Sequence, residues 1–275
     1  MTAVEERWTE NRSHGGPLLP WAEIWGAREL VFFFGQRDLK VRYKQAVFGV
    51  AWVLVQPLIT VAAFTLAFHR LAHVGSSNIA YPVFALSGLL GWTYISQCVA
   101  RGSEVLVVNP ALITKVYIPR LVAPVASLLP GLVDLGVGLV LLAVMCLVYG
   151  VAPSAALLLL PIWLVLLMLT ALGPVLLLAA LNVRYRDVRH VVPPLLQALL
   201  FLSPVAYSSA SLGGVARLAY ALNPTVGALE FGRYTLVGGP WPGWQLAVSL
   251  ASILGFTLVG IVYFQRAQRS FADVI

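Results

Sequence analysis

Charge is what this sequence lacks most. Of its 275 residues only 11% are Asp, Glu, Lys or Arg, while 60% are hydrophobic. A soluble domain carries about a quarter charged residues, and so few charges cannot cover the apolar surface this chain would present to water. Cysteine is scarce as well. Cys98 and Cys146 both sit inside apolar runs, which excludes a disulfide framework and a cysteine-based zinc site. Acids are scarcer still: beyond Asp38 there are Glu104, Asp134, Asp187, Glu230 and Asp273. That is little from which to build an intramembrane proton relay or a two-carboxylate enzyme. None of the three lysines follows a glycine, so the chain has no phosphate-binding loop of the Gly-x-x-x-x-Gly-Lys type. Gly-x-Ser-x-Gly and His-Glu-x-x-His patterns are missing too. His69 and His73 stand at helical spacing without a nearby carboxylate, as residues of a membrane boundary would. The N-terminal segment, with Glu5, Glu6 and Glu10 beside Arg7 and Arg12, has no early apolar stretch, so no cleaved signal peptide is expected.

What is present is long, continuous apolarity. The run LLLLPIWLVLLMLTALGPVLLLAAL over 157–181 does not alternate, as strands of a membrane barrel must. A bilayer core needs about 20 mostly apolar residues per helix, and six segments qualify: 46–69, 82–99, 121–149, 155–181, 191–207 and 244–264. The expected fold is therefore an all-α polytopic membrane protein. Its parts are a cytosolic segment over 1–45, a six-span domain over 46–265 and a cytosolic tail over 266–275. Pro57, Pro130, Pro161 and Pro174 fall inside apolar runs and are expected to kink their helices.

The net charge of +7 does not point to nucleic acid, because the basic residues cluster between the apolar runs. With both termini cytosolic, twelve Lys and Arg flank the inner ends, from Arg37 to Arg269, against Arg70, Arg217 and Arg233 outside. That asymmetry fixes the orientation. Before the first span, Trp21, Ile24, Trp25 and Phe32 share one side of a wheel over 21–34, although Arg28 interrupts it. The stretch predicts an interfacial helix. Between spans five and six, 208–243 is long but apolar. Its pieces 215–222 and 226–237 flank Asn223–Pro224 and are too short to span, which predicts a re-entrant helical hairpin. Asp134 is the single acid in the middle of an apolar run, placed either for a substrate or gating contact or for a bond to a neighbouring helix. Arg101 and Glu104, three apart, are expected to pair on one helix face.

Several stretches together are similar to the polysaccharide and polyol-phosphate export permeases of the ATP-binding-cassette type-2 class. They are RDLKVRYKQAVFGVAWVLVQPL (37–58), FALSGLLGWTY (84–94), NPALITKVYIPRL (109–121), LNVRYRDVRHVVPPLLQ (181–197) and FLSPVAY (201–207), with ALNPTVG and the terminal FADVI. The resemblance runs in order from about Trp21 to Ile275. It departs in SSASLGGVARLAY after Tyr207, where relatives commonly carry a proline and charges.

The resemblance implies a homodimer with two copies of a cytosolic ATPase, which would bind the ATP and magnesium; this chain would hold no cofactor. It implies outward movement of a lipid-linked (polyprenyl-pyrophosphate) glycan or teichoic-type polymer across the bacterial cytoplasmic membrane. Within that frame, Asn109, Pro110, Leu112, Ile113, Lys115, Val116 and Tyr117 form an expected ATPase-coupling segment. Arg37, Lys40, Arg42 and Lys44 lie at the depth of anionic headgroups, of substrate or of membrane lipid. Trp52, Trp92, Tyr94, Asp134, Tyr207, Asn223, Pro224 and Glu230 are candidates for the channel and its gate. Three alternatives share the hydropathy: a drug or small-lipid exporter of the same class, a membrane glycosyl- or acyltransferase using a polyprenyl donor, and a passive channel or scramblase.

Overall fold

The computed structural model describes residues 25–44, 50–71, 73, 79–108, 119–209 and 213–271. Among them there is no strand. The helices are α1 (Arg28–Lys44), α2 (Val50–Phe64, continued by a π-helical segment Thr65–Leu71), α3 (Tyr81–Val108), α4 (Val122–Ala126) and α5 (Leu129–Val148). A 3-10 turn over Ala155–Leu159 leads into α6 (Leu160–Arg184), followed by α7 (Val188–Phe201), α8 (Gly214–Ala221), α9 (Pro224–Val237) and α10 (Trp244–Ala267). The coupling segment 109–117 lies outside the described residues, as do Trp21, Ile24 and residues 272–275 of the tail.

Among the described residues, five helical stretches are long and apolar enough to cross a membrane: Leu54–Leu71, Tyr81–Val108, Val122–Val148, Ala155–Arg184 and Trp244–Ala267. The fifth expected span, 191–207, takes a different form. Its helix α7 has 14 residues, about 21 Å at 1.5 Å per residue, and then breaks. The broken segment is nevertheless inside the protein, with Ser203, Val205 and Ala206 each 4% exposed or less. Of the expected interfacial helix over 21–34, the described part begins at Trp25; α1 runs on past Phe34 to Lys44, and Trp25, just before it, and Phe32 and Phe33 on it are exposed. The basic run of Arg37, Lys40, Arg42 and Lys44 is therefore helical rather than a connecting loop.

Pro130 and Pro161 stand in the first turns of α5 and α6, and the apolar stretch Val122–Val148 is interrupted at 127–128, just before Pro130. Pro57 and Pro174 do lie inside helices.

α3 is the central element, packed against α2, α5, α6, α7 and α9. Small residues let the backbones of α6 and α10 meet: a Cβ on Gly173 would lie 2.8 Å from the Phe256 carbonyl carbon, and one on Gly260 would strike the Gly173 carbonyl. Thr257 Oγ1 donates to Leu169 O across the same crossing at 3.1 Å. One end of the bundle gathers Leu106, Leu121, Val183, Phe264 and Phe271 into a second apolar cluster. Arg101, Arg120, Arg184 and Arg266 mark this basic end; α8 and α9 mark the opposite, hairpin end.

Candidate functional site: the hairpin end and the polar face of α3

The short helices α8 and α9 form as the sequence suggests. Asn223 is the N-cap of α9: its Oδ1 accepts from Thr225 N at 3.0 Å and from Thr225 Oγ1 at 2.8 Å. Pro224 occupies the first turn, and Gly238 ends the helix at φ 66°, the left-handed cap that favours glycine. The helix is anything but a surface loop, because Thr225 to Arg233 are buried without interruption. Trp163 Nε1 donates to Ala228 O at 2.9 Å, and Gly227 N donates to Ser249 Oγ at 3.1 Å, so α9 is tied to both α6 and α10.

The break after α7 is held by this hairpin. Three consecutive carbonyls of the break accept from side chains: Val205 O from Arg233 Nη2 at 2.6 Å, Ala206 O from Tyr81 OH at 2.9 Å, and Tyr207 O from Arg233 Nη1 at 3.3 Å. Irregular backbone at depth must find such partners inside the protein. Glu230 Oε1 accepts from Ser209 N at 3.0 Å, and Ser203 Oγ bonds Thr225 Oγ1 at 2.8 Å. Tyr207 OH donates to Phe201 O at 2.7 Å and accepts from Tyr220 OH at 3.0 Å. Gln245, 1% exposed, accepts at Oε1 from Arg217 Nη2 at 3.0 Å. Burial pushes the Arg233 guanidinium down to about 10, with Glu230 opposing the drop, so the group keeps its charge at neutral pH. Chemically the arrangement holds irregular backbone through side-chain hydrogen bonds.

Of the eight channel and gate candidates, the structure brings Tyr207, Asn223, Pro224 and Glu230 together at the hairpin end. Sequence reasoning missed Tyr81, Arg233, Ser203, Thr225 and Gln245. A signal for Arg233 was present, since an arginine one turn after Glu230 in an apolar half-helix needs buried partners. Trp92 and Tyr94 are a correction: they are 5% and 2% exposed, and Tyr94 OH donates to Leu128 O at 3.3 Å. Both rings pack the core of α3 instead of facing a channel. Trp52 lies on α2.

The ion pair nearer the basic end also differs from expectation. Arg101 Nη2 lies 3.5 Å from Asp134 Oδ2 on α5 and donates to Gln97 Oε1, so its acidic partner comes from another helix and not from Glu104 one turn away. Asp134 is 8% exposed; of its two expected roles, the structure places it in the bond to a neighbouring helix. On α1, Arg37 donates to Asp38 Oδ1 at 2.9 Å and stacks 5.1 Å from the Phe34 ring centre, while Lys40 and Lys44 are exposed. Where the chain returns from the undescribed 109–118 stretch, Arg120 donates to Gln268 O and lies 5.9 Å from the Phe271 ring centre.

Comparison with known proteins gives one consistent answer. Residues 29–237 match the family described as "ABC-2 type transporter". The chain is similar to the O-antigen export system permease protein RfbA of Myxococcus xanthus, with 30% identity over 256 residues, covering 92% of this chain and 98% of that protein. It is also similar to two proteins of the same name from Klebsiella pneumoniae, at 26% and 22% identity, each covering 90% of this chain and 95% of the relative. A chain with this bundle of apolar helices and this match over most of its length is a multi-pass membrane protein and belongs to the ABC-2 type transporter family.

Proposed function

We propose that this chain is the permease subunit of an ATP-driven exporter moving a lipid-linked polysaccharide of the O-antigen type outward across the bacterial inner membrane. The observation that carries the reading is the likeness to O-antigen export permeases over nearly the whole length of both chains. The working unit is a homodimer with two copies of a separate cytosolic ATPase, which supplies ATP and magnesium binding that this sequence lacks. Both termini face the cytosol, and the segment 109–117 docks on the ATPase. The polyprenyl pyrophosphate of the cargo is drawn to the basic face of α1, where Lys40 and Lys44 stand open.

Two measurements test this. Deleting the gene should remove surface polysaccharide while the lipid-linked polymer accumulates on the inner leaflet, and an unchanged surface glycan would overturn the reading. The purified subunit should hydrolyse no ATP until its partner is added; steady hydrolysis by the subunit alone would be equally fatal.

A further inference from the structure

The half-open residues of α3 are unevenly placed. From Val83 to Trp92 every residue is buried. Between 93 and 104 the half-open residues are Thr93, Ser96, Gln97, Ala100, Arg101 and Glu104, and all the others are buried. The spacing of three, one, three, one, three draws a single stripe along the helix, and five of its six members are polar. Many other open positions of the spans are apolar, as at Val140, Val144, Leu158 and Leu254, and suit lipid tails. This stripe does not.

Its depth makes the point sharper. Thr93 lies twelve residues from Tyr81, about 18 Å along the helix, which is inside a hydrocarbon core of about 30 Å. Polar side chains at that depth must face protein or water. The stripe opens toward the basic end and stops where α3 becomes wholly buried, so it has the form of one wall of a vestibule.

The wall is also organised. Buried Asp134 holds Arg101 at 3.5 Å, and Arg101 in turn donates to Gln97 Oε1. With one lone pair of its oxygen engaged, Gln97 still offers both amide N–H groups as donors. Ser96 Oγ donates to Thr93 O at 3.2 Å, which leaves its lone pairs as acceptors. The Arg101 and Asp134 charges oppose one another, so the stripe above them offers neutral donors and acceptors, suited to hydroxyl groups and poorly suited to a phosphate anion.

We infer that the 93–104 face of α3 is a wall of the transport path, on which Gln97 hydrogen-bonds the hydroxyl groups of an uncharged saccharide segment. Arg101 and Asp134 are positioning residues that set the Gln97 amide. The inference rests on the exporter reading above and adds the place and chemistry of cargo contact.

The test uses the complete transporter with its ATPase, in inside-out vesicles and in cells. In a Cys98→Ser, Cys146→Ser background, single cysteines replace Thr93, Gln97 or Val140, and a charged, impermeant thiol reagent is added from the cytosolic side. Positions 93 and 97 should react and position 140, which faces lipid, should not. In cells, Gln97→Leu should lower glycan export about tenfold, the scale of one lost hydrogen bond, while the variant still purifies as a complex with its ATPase at parental yield. Asp134→Asn should raise the cargo concentration that half-saturates stimulated ATP hydrolysis. Two results overturn the stripe alone, given a parent that exports. One is a cysteine at position 97 as inert as the one at position 140. The other is a Gln97→Leu variant that exports normally or no longer assembles with the ATPase. A parent that exports no glycan overturns the exporter reading and the cargo assigned here with it.

Discussion

The Arg233 guanidinium carbon lies 3.9 Å from the centre of the Phe84 ring, and from there it reaches two carbonyls of the broken segment after α7. Its space is set by Gly88: a Cβ at that position would stand 2.5 Å from Arg233 Nη2. One arginine, one ring and one glycine therefore fix how the short fifth apolar helix meets the hairpin.

Arg233→Leu should accordingly destabilise the protein. Charge-assisted hydrogen bonds contribute about 1.5–3 kcal/mol each, so losing two, together with the ring contact, should cost about 3–5 kcal/mol. Lysine is a point charge and cannot bridge two carbonyls while stacking on Phe84, so Arg233→Lys should recover less than half of the loss. Thermal unfolding in detergent reads both, and a wild-type midpoint for Arg233→Leu would remove Arg233 from this role.

Gly173→Leu should fail differently. The new side chain would meet the Phe256–Thr257 backbone, which cannot rotate aside as a side chain can. Overpacking costs about 1–3 kcal/mol even where neighbours yield, so the folded, monodisperse fraction on size exclusion should fall sharply. Gly255→Leu, at an open position with nothing within 4 Å, is the control and should leave it unchanged.

Ile113→Asp tests the coupling segment. Burying an isoleucine side chain contributes about 1.5–3 kcal/mol, and each 1.4 kcal/mol is about tenfold in affinity. Assembly with the ATPase should therefore weaken at least tenfold while the membrane fold survives. Normal assembly and export would shift the coupling role to α1 or to the connection carrying Arg184, Arg186 and Arg189.

Topology is checked by cysteines at Ser76, Gly239 and Thr114 in the Cys98→Ser, Cys146→Ser background. The first two should react with an impermeant reagent in sealed cells and the third only in opened ones. Labelling of position 114 from outside would invert the orientation.

Much of this was legible in the sequence because apolarity is local information. The long spans and the helix start at Asn223–Pro224 follow from runs and caps that involve neighbours in the chain. What escaped depends on partners far apart. Arg101 pairs with Asp134, 33 residues on, whereas spacing alone offers only Glu104. Trp92 and Tyr94 are chemically suited to stack on sugars, and only packing reveals that α3 turns them inward. Pro130 and Pro161 stand where α5 and α6 begin, and composition cannot separate such a start from a kink within a helix. The shortness of α7 was hidden for a similar reason: 201–207 is apolar enough to continue a span, and its irregular backbone survives only because Arg233 and Tyr81 satisfy it.

The Arg101–Asp134 pair also bears on how the protein enters the membrane. An aspartate near the middle of an emerging span adds about 2.5–3.5 kcal/mol to its insertion free energy, and Asp134 sits 8% exposed within a span of 27 residues. The preceding span already carries the arginine that answers it. As the two leave the insertion machinery side by side, each presents the other with its counter-charge, and the two charges enter lipid as a neutral ion pair. Loss of Arg101 would then be felt during biogenesis, as retention of the third span at the insertion site, before any cargo is met.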